Sequence, residues 1–507
     1  MTQTNKNAIF DDLPLLVFAS RSFRLRCLMD AKDDITREGA ITDDTYKDAL
    51  KEILHEEILK AKILRVIETI GEPFSLEKFL EITNHMSEIS DPAKIALLYQ
   101  LVVEGFILYK AESPESTTFT LKTTDHDEII PYYLPVQAIE DGKACSGCSL
   151  CQAVCPVGCI QVNDGKVSID MDICIRCGLC YTACPRSFLP KKVFEWQEAG
   201  HHYSKNELKL GSFIEAWSAR TTDPKIESIK QDGGVVTSLI THAFNQGDIN
   251  GAIGAGMVDD VPWKPLPILM RNQDDVYKSA GTKYVNTPSL QLLRDLPSHD
   301  KIAMVGTPCM MQALRKADYY TNGIISTDQI KYRIGIFCME SFTHAGIKHL
   351  AEKILETPLE TIKKMDINAG KFFVYPEDGE PKAVSMKEIT KLARMGCHCC
   401  FDLTSEQADI SVGSIGSPSG WNTVLVRNER GKKLFDAAVA AGIIERKPIE
   451  EVKPGLGLLK KLSFRKKRSY EREEKKRNIE GKFHPAYMMI LPPKPKKNKP
   501  VASTPTK

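Results

Sequence analysis

Apolar positions recur at helical spacing through the first part of the chain. Residues 44–70 set isoleucines among charged residues, which predicts a long helix. The isoleucines are Ile53, Ile58, Ile63 and Ile67. Residues 71–85 predict a turn and a short helix capped at Ser75, and residues 91–106 predict a third helix. Two short strands are expected within residues 107–123, around a turn rich in Ser, Pro and Glu.

Three helices followed by a hairpin resemble a winged helix in the order of their elements. A third helix that reads DNA presents basic and amide side chains to the groove. Between Asp91 and Phe106, however, Lys94 is the one basic residue, and Asp91 and Glu104 oppose its charge. This charge argument favours docking onto a protein and makes binding to nucleic acid unlikely.

From about residue 205 the pattern changes to apolar, strand-like runs separated by helical patterns, which is typical of an α/β fold. The runs are Ser212–Ser218, Gly251–Val258, Lys301–Val305 and Arg333–Phe337. With 507 residues and 42% hydrophobic residues, the chain is long enough for three or four domains. We therefore predict an α+β multidomain protein.

The start of the chain is polar and acidic, and it lacks the basic start, apolar core and cleavage site of a secretion signal. No run of 18 apolar residues occurs, so no membrane-spanning helix is expected. Fifteen cysteines without such a signal favour reduced thiols and metal ligation. We expect a cytoplasmic protein.

The net charge of +2 hides an asymmetry between the end of the chain and the rest. Residues 460–507 carry sixteen Lys and Arg against four Asp and Glu, about +12, which leaves about −10 for the remainder. Residues 456–507 are therefore predicted to form a basic, flexible tail. Two interpretations stay open: an electrostatic arm for an acidic partner, a membrane surface or nucleic acid, and a solvated, partly helical extension.

Between residues 145 and 184 the motif C-x2-C-x2-C-x3-C-P occurs twice. This spacing is typical of two [4Fe-4S] clusters, in which the fourth cysteine of each motif crosses to the other cluster. The first cysteine set is Cys145, Cys148, Cys151 and Cys184, and the second is Cys155, Cys174, Cys177 and Cys180. Zinc sites and disulfide frameworks suit this spacing less well, because zinc sites pair distant CxxC units and disulfides belong to small secreted domains. The extra Cys159 is interpreted as a packed thiol.

These patterns divide the chain into four parts. They are a helical, winged-helix-like module over 1–130, a bacterial-type two-cluster ferredoxin module over 138–190, an α/β domain over 205–455 and the tail over 456–507. In the α/β domain, the sequence DGGVVT at 232–237 opens a helix after a polar turn. Its backbone N–H groups could therefore receive a phosphate, although an ordinary turn gives the same pattern.

Four more motifs accompany this loop: SAGTKY at 279–284, VGTPCMMQAL at 305–314, GIFCMESF at 335–342, and the block at 397–427 that begins CHCCFDLTSEQADISVG. With the loop, they resemble the family of beta subunits of coenzyme F420-reducing hydrogenases and F420-dependent dehydrogenases. That family includes formate dehydrogenase beta subunits, input subunits of F420H2 dehydrogenases and reductases of chlorophyll pathways. The resemblance covers about 213–427, or 145–427 with the ferredoxin module.

The resemblance implies an FAD held by the glycine-rich loop and SAGTKY. The implied contacts are Gly233, Gly234, Val235, Thr237, Ser279, Gly281, Thr282, Lys283 and Tyr284. It also implies a third [4Fe-4S] cluster beside the flavin, with a third cysteine set of Cys309, Cys338, Cys397 and Cys400. Cys399 is the alternative to Cys400, and four ordinary buried thiols are the competing interpretation.

Lys283 has two interpretations. It is either a charge partner for the reduced flavin or the pyrophosphate, or a surface lysine beside a buried Tyr284. His242 and His344 lie in helical patterns and are interpreted as structural.

The implied function is an oxidoreductase that exchanges a hydride with coenzyme F420 through FAD. Single electrons then pass through the clusters to a partner protein or a larger reductase complex. No acid or base is needed for hydride transfer, so no catalytic side chain is assigned. The alternatives are a related enzyme with another organic substrate or ferredoxin, an electron-transfer subunit, and a redox-sensing regulator with a winged-helix front. Peripheral association with a membrane is compatible with the basic tail.

Overall fold

The computed structural model describes most of the chain between residues 43 and 487. The described residues are 43–71, 73–87, 89–103, 106–111, 117–122, 136–174, 179–187, 189, 191, 204, 207–257, 260–319, 325–368, 370–480, 482–485 and 487. Predictions for residues 1–42, for Cys177 and for the Lys- and Pro-rich residues 488–507 lie outside this part.

The first module has the predicted order of elements. Its helices are α1 (Asp43–Ile70), α2 (Leu76–Ile82) and α3 (Asp91–Val103), and its strands are β1 (Ile107–Ala111) and β2 (Thr117–Leu121). The two strands pair antiparallel. The Ser75 hydroxyl accepts a hydrogen bond from the backbone N–H of Lys78 at 3.2 Å, which confirms the predicted helix cap.

Helix α3 lies inside the protein. Every side chain from residue 94 to residue 101 is buried, and Lys94 forms an ion pair with Asp91 at 2.9 Å. The apolar core of the module continues into Phe401, which follows Cys400, and into Tyr470 and Tyr487 near the end of the chain. A helix buried in this way offers no basic face to a DNA groove, so the module docks onto its own chain.

The cysteine-rich segment consists of short elements around two turns. They are α4 (Gln137–Asp141), α5 (Leu150–Ala153), β3 (Ile160–Asn163), β4 (Lys166–Ile169) and α6 (Leu179–Ala183). Strands β3 and β4 pair antiparallel across a tight turn at Asp164 and Gly165, which both have positive φ. The buried side chains of this segment share one core with those of the following domain.

The remaining elements build an α/β body. Its strands are β5 (Glu215–Thr221), β6 (Gly251–Gly256), β7 (Leu266–Met270), β8 (Ile302–Gly306), β9 (Ile330–Ile336), β10 (Ile362–Asn368), β11 (Lys371–Pro376), β12 (Lys382–Ser385), β13 (Ile410–Gly413), β14 (Asn422–Val426) and β15 (Ile444–Pro448). Its helices are α7 (Glu207–Leu210), α8 (Pro224–Ile229), α9 (Val235–Asn245), α10 (Gln273–Lys278), α11 (Pro308–Tyr319), α12 (His344–His349), α13 (Met386–Ile389), α14 (Met395–His398), α15 (Glu429–Ala440) and α16 (Gly455–Ile479).

Eight of the described strands form one mixed sheet in the order β15-β5-β14-β13-β9-β8-β6-β7. Strands β6, β8, β9 and β13 run parallel, and β7 and β14 flank them antiparallel. All four predicted strand runs lie in this sheet, with ends shifted by up to three residues. The α/β architecture is therefore confirmed, and the carboxyl ends of β8 and β9 lie side by side.

A smaller antiparallel sheet of β10, β11 and β12 is inserted between β9 and β13. It has its own apolar core, which includes Phe342, Leu350, Phe372 and Ile389. Tyr284 packs its ring edge against Phe372 at a centroid distance of 5.0 Å. The insertion therefore packs against Tyr284, the last residue of the SAGTKY segment.

The end of the chain differs from the predicted solvated tail. Residues 455–479 form helix α16, which agrees with the expected partly helical extension. The helix is not solvated, because Leu459, Lys466, Lys467 and Tyr470 are buried against the rest of the protein. Long lysine stems cover apolar surface, and the two buried ammonium groups have polar partners. The prediction of a flexible, solvated tail is thus wrong for α16 and the buried Tyr487. Among the described residues, every helix is too short or too polar to cross a membrane.

Candidate redox site

The first cysteine set surrounds α5 and the end of α6. Electrostatic interactions connect Cys151 with Cys145, Cys148 and Cys184, so the four thiols lie close together. Burial raises the pKa of Cys145 and of Cys148 to about 12, and that of Cys184 to about 11. Such thiols are protonated in metal-free protein, and iron has to displace their protons.

Hydrogen-bond donors and cations converge on this set. The backbone N–H of Gly147 donates to Cys145 Sγ and that of Arg186 donates to Cys184 Sγ, each at 3.3 Å. Lys316 Nζ donates to the Cys184 carbonyl at 2.7 Å, and burial lowers the pKa of this lysine well below its ordinary value. The charge of Arg394 acts on Cys145 and that of Arg186 on Cys184. N–H donors and positive charge stabilise ligating thiolates, so these surroundings fit a cluster.

The second cysteine set is described at Cys155, Cys174 and Cys180, while Cys177 lies outside the described residues. Cys159 belongs to the same neighbourhood, because its Sγ lies 3.4 Å from Cys155 Sγ and interacts with Cys174. The hydrogen bond from Cys159 lowers the pKa of Cys155 to about 7. Cys159 is packed, as expected, but it contacts two predicted ligands, which the spacing did not reveal.

The third cysteine set forms at the carboxyl edge of the large sheet. Cys309 follows β8 in the first turn of α11, and Cys338 follows the neighbouring β9. The backbone N–H of Cys338 donates to the Leu403 carbonyl at 2.9 Å, which brings the chain after Cys400 alongside β9. Electrostatic interactions then link Cys338 with Cys309, Cys397 and Cys400.

Cys400 and not Cys399 lies in this set. Cys309 and Cys338 interact with Cys400, whereas the carbonyl of Cys399 accepts hydrogen bonds from Arg186 at 3.1 Å and Tyr487 at 2.8 Å. The peptide thus turns Cys399 into the core of the protein, where it is buried. The arrangement supports the predicted assignment of Cys400.

Polar groups also point at the sulfurs of the third set. The Thr307 hydroxyl lies 3.1 Å from Cys309 Sγ, and the backbone N–H of Ser341 donates to Cys397 Sγ at 3.4 Å. Among the described residues, no three ligand side chains meet around a single metal ion as they stand. The four thiolates of a cubane bind four different iron atoms, and the third set supplies four cysteines.

Two arginines join the first and third sets. Arg394 lies three residues before Cys397 of the third set, and its Nη1 donates to the carbonyl of Ser146, next to Cys145 of the first set, at 2.6 Å. Arg186, fully buried, follows Cys184 and interacts with the thiols of Cys309 and Cys400. The first and third sets are therefore neighbours, with positive charge between them.

The glycine-rich loop is tightly packed. A Cβ at Gly233 would lie 2.6 Å from the backbone N of Asn422, and a Cβ at Gly234, which has φ +72°, would lie 2.9 Å from Ile226. The Val235 N–H at the start of α9 already donates to the Asn422 side chain at 3.3 Å. Packing alone therefore accounts for both glycines, and replacing either would disturb the fold besides any phosphate site. Thr237 is half-buried in the first turn of α9.

The SAGTKY segment leaves α10 as an open loop. Gly281 and Thr282 are exposed, and nothing lies within 4 Å of a Cβ at Gly281. Lys283 Nζ donates to the carbonyls of Ala280 at 2.6 Å and Gly281 at 3.0 Å, and also to that of Ser279. Burial lowers the pKa of Lys283 to about 8.

The two predicted flavin segments meet beside β10. Burial, followed by the charges of Asp366 and Asp232, raises the pKa of Tyr284, so all three side chains are close. Burial and Asp366 also raise the pKa of Asp232, which Lys364 and Lys230 partly oppose. An open loop with a lysine therefore lies near the start of a helix, with the carboxylates of Asp232 and Asp366 close to both.

The two histidines have contacts of a structural kind. The His344 backbone N–H donates to Asp164 at 2.9 Å and its ring contacts the Pro262 carbonyl at 2.9 Å, which ties the β3–β4 turn to the body. His242 is buried in α9, where burial lowers its pKa.

Sequence reasoning missed the basic side chains around the cysteine sets: Arg186, Lys316, Arg394 and Lys466. Arg186 had a signal, because it directly follows the Cys184-Pro185 pair. Lys466 had none, because it stands within a run of basic residues that looks uniformly exposed.

Family models match three stretches of the chain. Residues 216–294 match the N-terminal part of the coenzyme F420 hydrogenase/dehydrogenase beta subunit, and residues 299–452 match its C-terminal part. Residues 137–185 match the 4Fe-4S dicluster domain, which contains the first and second cysteine sets.

Similar proteins carry the same family name. The coenzyme F420 hydrogenase subunit beta of Methanothermobacter thermautotrophicus is 41% identical over 52% of this chain and 95% of its own length. A subunit of the F(420)H(2) dehydrogenase of Methanosarcina mazei is 35% identical over 63% and 88%. A chain of the F420-reducing [NiFe] hydrogenase complex from Methanosarcina barkeri superimposes with a TM-score of 0.53 and 39% identity, over 54% of this chain and 95% of that one.

Proposed function

The chain belongs to the family of coenzyme F420 hydrogenase/dehydrogenase beta subunits and is an iron–sulfur oxidoreductase, and we propose that it exchanges a hydride with coenzyme F420 at a bound FAD. Clusters held by the third, first and second cysteine sets would carry single electrons, in that order, to a partner protein. The observation that carries this proposal is the third set, which separate segments of sequence bring together next to the first set.

The flavin, when bound, exchanges two electrons as a hydride with the deazaflavin and single electrons with the clusters. The chain contributes the space and the charge. Lys283 holds the open loop together and supplies an ammonium for an anionic ligand, while Tyr284 packs between that loop and the insertion. No described side chain has to take up the hydride.

The cysteine sets follow one another in space. Cys309 of the third set interacts with Cys148 of the first, and Cys151 of the first interacts with Cys180 of the second. We assign the third cluster to the flavin side, because its ligands lie in the same body as the SAGTKY loop. The second cluster is then the exit toward a partner, and the similarity to a chain of the hydrogenase complex supports a place within a larger assembly.

Anaerobic cofactor analysis tests the assignment. We expect about twelve irons and one FAD per chain, since three sets of four cysteines hold three four-iron clusters. Cys309→Ser should lower the count by about four irons and remove one cluster signal in electron paramagnetic resonance (EPR) spectra. The matched control is Cys399→Ser, which changes a buried neighbour outside the set and should keep twelve irons.

Reduction by F420H2 completes the test. The wild-type flavin should bleach first and the clusters should follow, whereas Cys309→Ser should bleach its flavin while its ferredoxin-type clusters stay oxidised. Eight irons in fully loaded wild-type protein, or equal cluster reduction in Cys309→Ser, would contradict the proposed path.

A further inference from the structure

Helix α16 reaches the third cysteine set from outside the region that the family models match. The beta subunit match ends at residue 452, and α16 begins at Gly455. In its middle, Lys466 is 6% exposed and its Nζ donates to the Cys338 carbonyl at 2.6 Å. The helix thus delivers a buried ammonium to the backbone of a predicted cluster ligand.

Contacts before and after Lys466 fix its position. The Ser463 hydroxyl donates to the Lys209 carbonyl, Lys467 forms a buried ion pair with Glu406, and Tyr470 packs edge-on against Phe401 at 6.2 Å. These anchors span two turns of α16 and hold one helix face against the body. Lys466 therefore cannot swing into solvent without loss of its neighbours' contacts.

The charge of Lys466 acts on three ligands at once. Its ammonium interacts with the thiols of Cys400, Cys338 and Cys397. A charge in a buried site is weakly screened by water and salt, so its effect on a neighbouring charge is larger than at the surface. A four-iron cluster becomes more negative by one charge on reduction, and a nearby cation stabilises that state.

We propose that Lys466 is a positioning residue that holds the Cys338 loop and raises the reduction potential of the third cluster. The inference rests on the third cluster of the proposed function. For each hydride, a cluster held by the third set would accept two electrons from the reduced flavin, one at a time, and would pass each on to the first set. Lys466 keeps its proton throughout and supplies charge only.

A set of four variants isolates the charge. Lys466→Gln keeps a donor for the Cys338 carbonyl without the charge, Lys466→Met removes both, and Lys466→Arg keeps the charge. Lys461→Met is the matched control, because Lys461 is exposed on the same helix. The measurement is an anaerobic redox titration followed by EPR, in which Cys309→Ser identifies the third-cluster signal.

We expect Lys466→Gln and Lys466→Met to make reduction of the third cluster about tenfold less favourable, which corresponds to about 59 mV for one electron. Lys466→Arg and Lys461→Met should titrate like the wild type. Equal midpoint potentials in wild type and Lys466→Gln would overturn the inference, and so would a shift of the same size in Lys461→Met.

The design separates this inference from the proposed function. A wild-type protein with eight irons and no third signal would refute the third cluster itself. A wild-type protein with twelve irons in which neither uncharged variant shifts the potential would refute the role of Lys466 alone. If Lys466→Met fails to hold its cluster, Lys466→Gln decides the question, because it retains the hydrogen bond.

Discussion

Lys283 is an ammonium in an unusual setting, because burial lowers its pKa to about 8 while three loop carbonyls accept its hydrogen bonds. An anion that pairs with it favours the protonated form and raises the pKa in the complex. At pH 7 the lysine is already charged. Above pH 8 binding of an anion has to take up a proton, so affinity falls as pH rises.

We therefore predict that FAD affinity of the wild type declines between pH 8 and pH 9.5. Lys283→Met should bind FAD roughly 10- to 150-fold more weakly at pH 7, equivalent to about 1.5–3 kcal/mol for a hydrogen bond to a charged group, with a flat profile. Flavin fluorescence titrations measure the FAD affinity at pH 7 and its change with pH. Lys278→Met, an exposed control at the end of α10, should behave as the wild type. If the FAD affinity of the wild type did not change between pH 8 and pH 9.5, Lys283 would have a purely structural role.

Single residues were predictable where chemistry is local in sequence. The spacing around Cys145 and Cys174 was sufficient to predict a two-cluster module, and residues 137–185 match a 4Fe-4S dicluster domain. The spacing could not separate Cys399 from Cys400, since that choice depends on which peptide faces Arg186 and Tyr487. The glycines at 233 and 234 were interpreted as space for a phosphate, but Asn422 and Ala219 lie against Gly233, and Ile226 and Thr221 lie against Gly234.

At the scale of elements, α16 is the part that periodicity described least well. Its buried apolar positions, Leu459 and Tyr470, are sparse among basic residues, so no clear stripe marks the packed face. The strands of the body were predicted more closely, because buried parallel strands form continuous apolar runs. Their ends shifted since backbone pairing, and not side-chain pattern, decides where a strand stops.

Two truncations distinguish the helix from the segment beyond it. A chain ending at Tyr487 loses five lysines and no acidic residue, and we expect it to keep its iron and its melting temperature. A chain ending at Leu459 uncovers Phe401 and removes Lys466, and it should lose more than about 3 kcal/mol of unfolding free energy, as large core deletions do. Iron content and thermal unfolding measure the difference. If the two truncated chains had equal unfolding free energies, the packing of α16 would not contribute to the stability of the protein.

At the scale of the whole molecule, the parts are joined by buried polar contacts. Glu406 of the body lies between Lys191, next to the cysteine-rich segment, and Lys467 of α16. Burial works to raise the pKa of Glu406, but the two lysines together lower it, so the carboxylate stays ionised. The sequence could not predict these contacts, because Glu406 lies 215 residues from Lys191 and 61 residues from Lys467 along the chain.

Glu406→Gln should therefore weaken the assembly of the parts. The substitution leaves buried ammonium groups without their carboxylate, which costs about 3–5 kcal/mol. The comparison variant is Glu445→Gln, which breaks a half-exposed pair with Arg220 and should cost no more than about 1 kcal/mol. Denaturant unfolding of the loaded proteins gives both values. If both variants lost a similar unfolding free energy, the ion pairs of Glu406 would contribute no more than an ordinary surface pair.

The position of α16 after all the cluster ligands sets an order of events during synthesis. The ribosome completes Cys400 sixty-six residues before Lys466, an interval of roughly 3–13 s at about 5–20 residues per second. Through that interval the third set can gather while the helix that covers it does not yet exist. Iron delivery to this set therefore has an open period, and the emergence of α16 closes it.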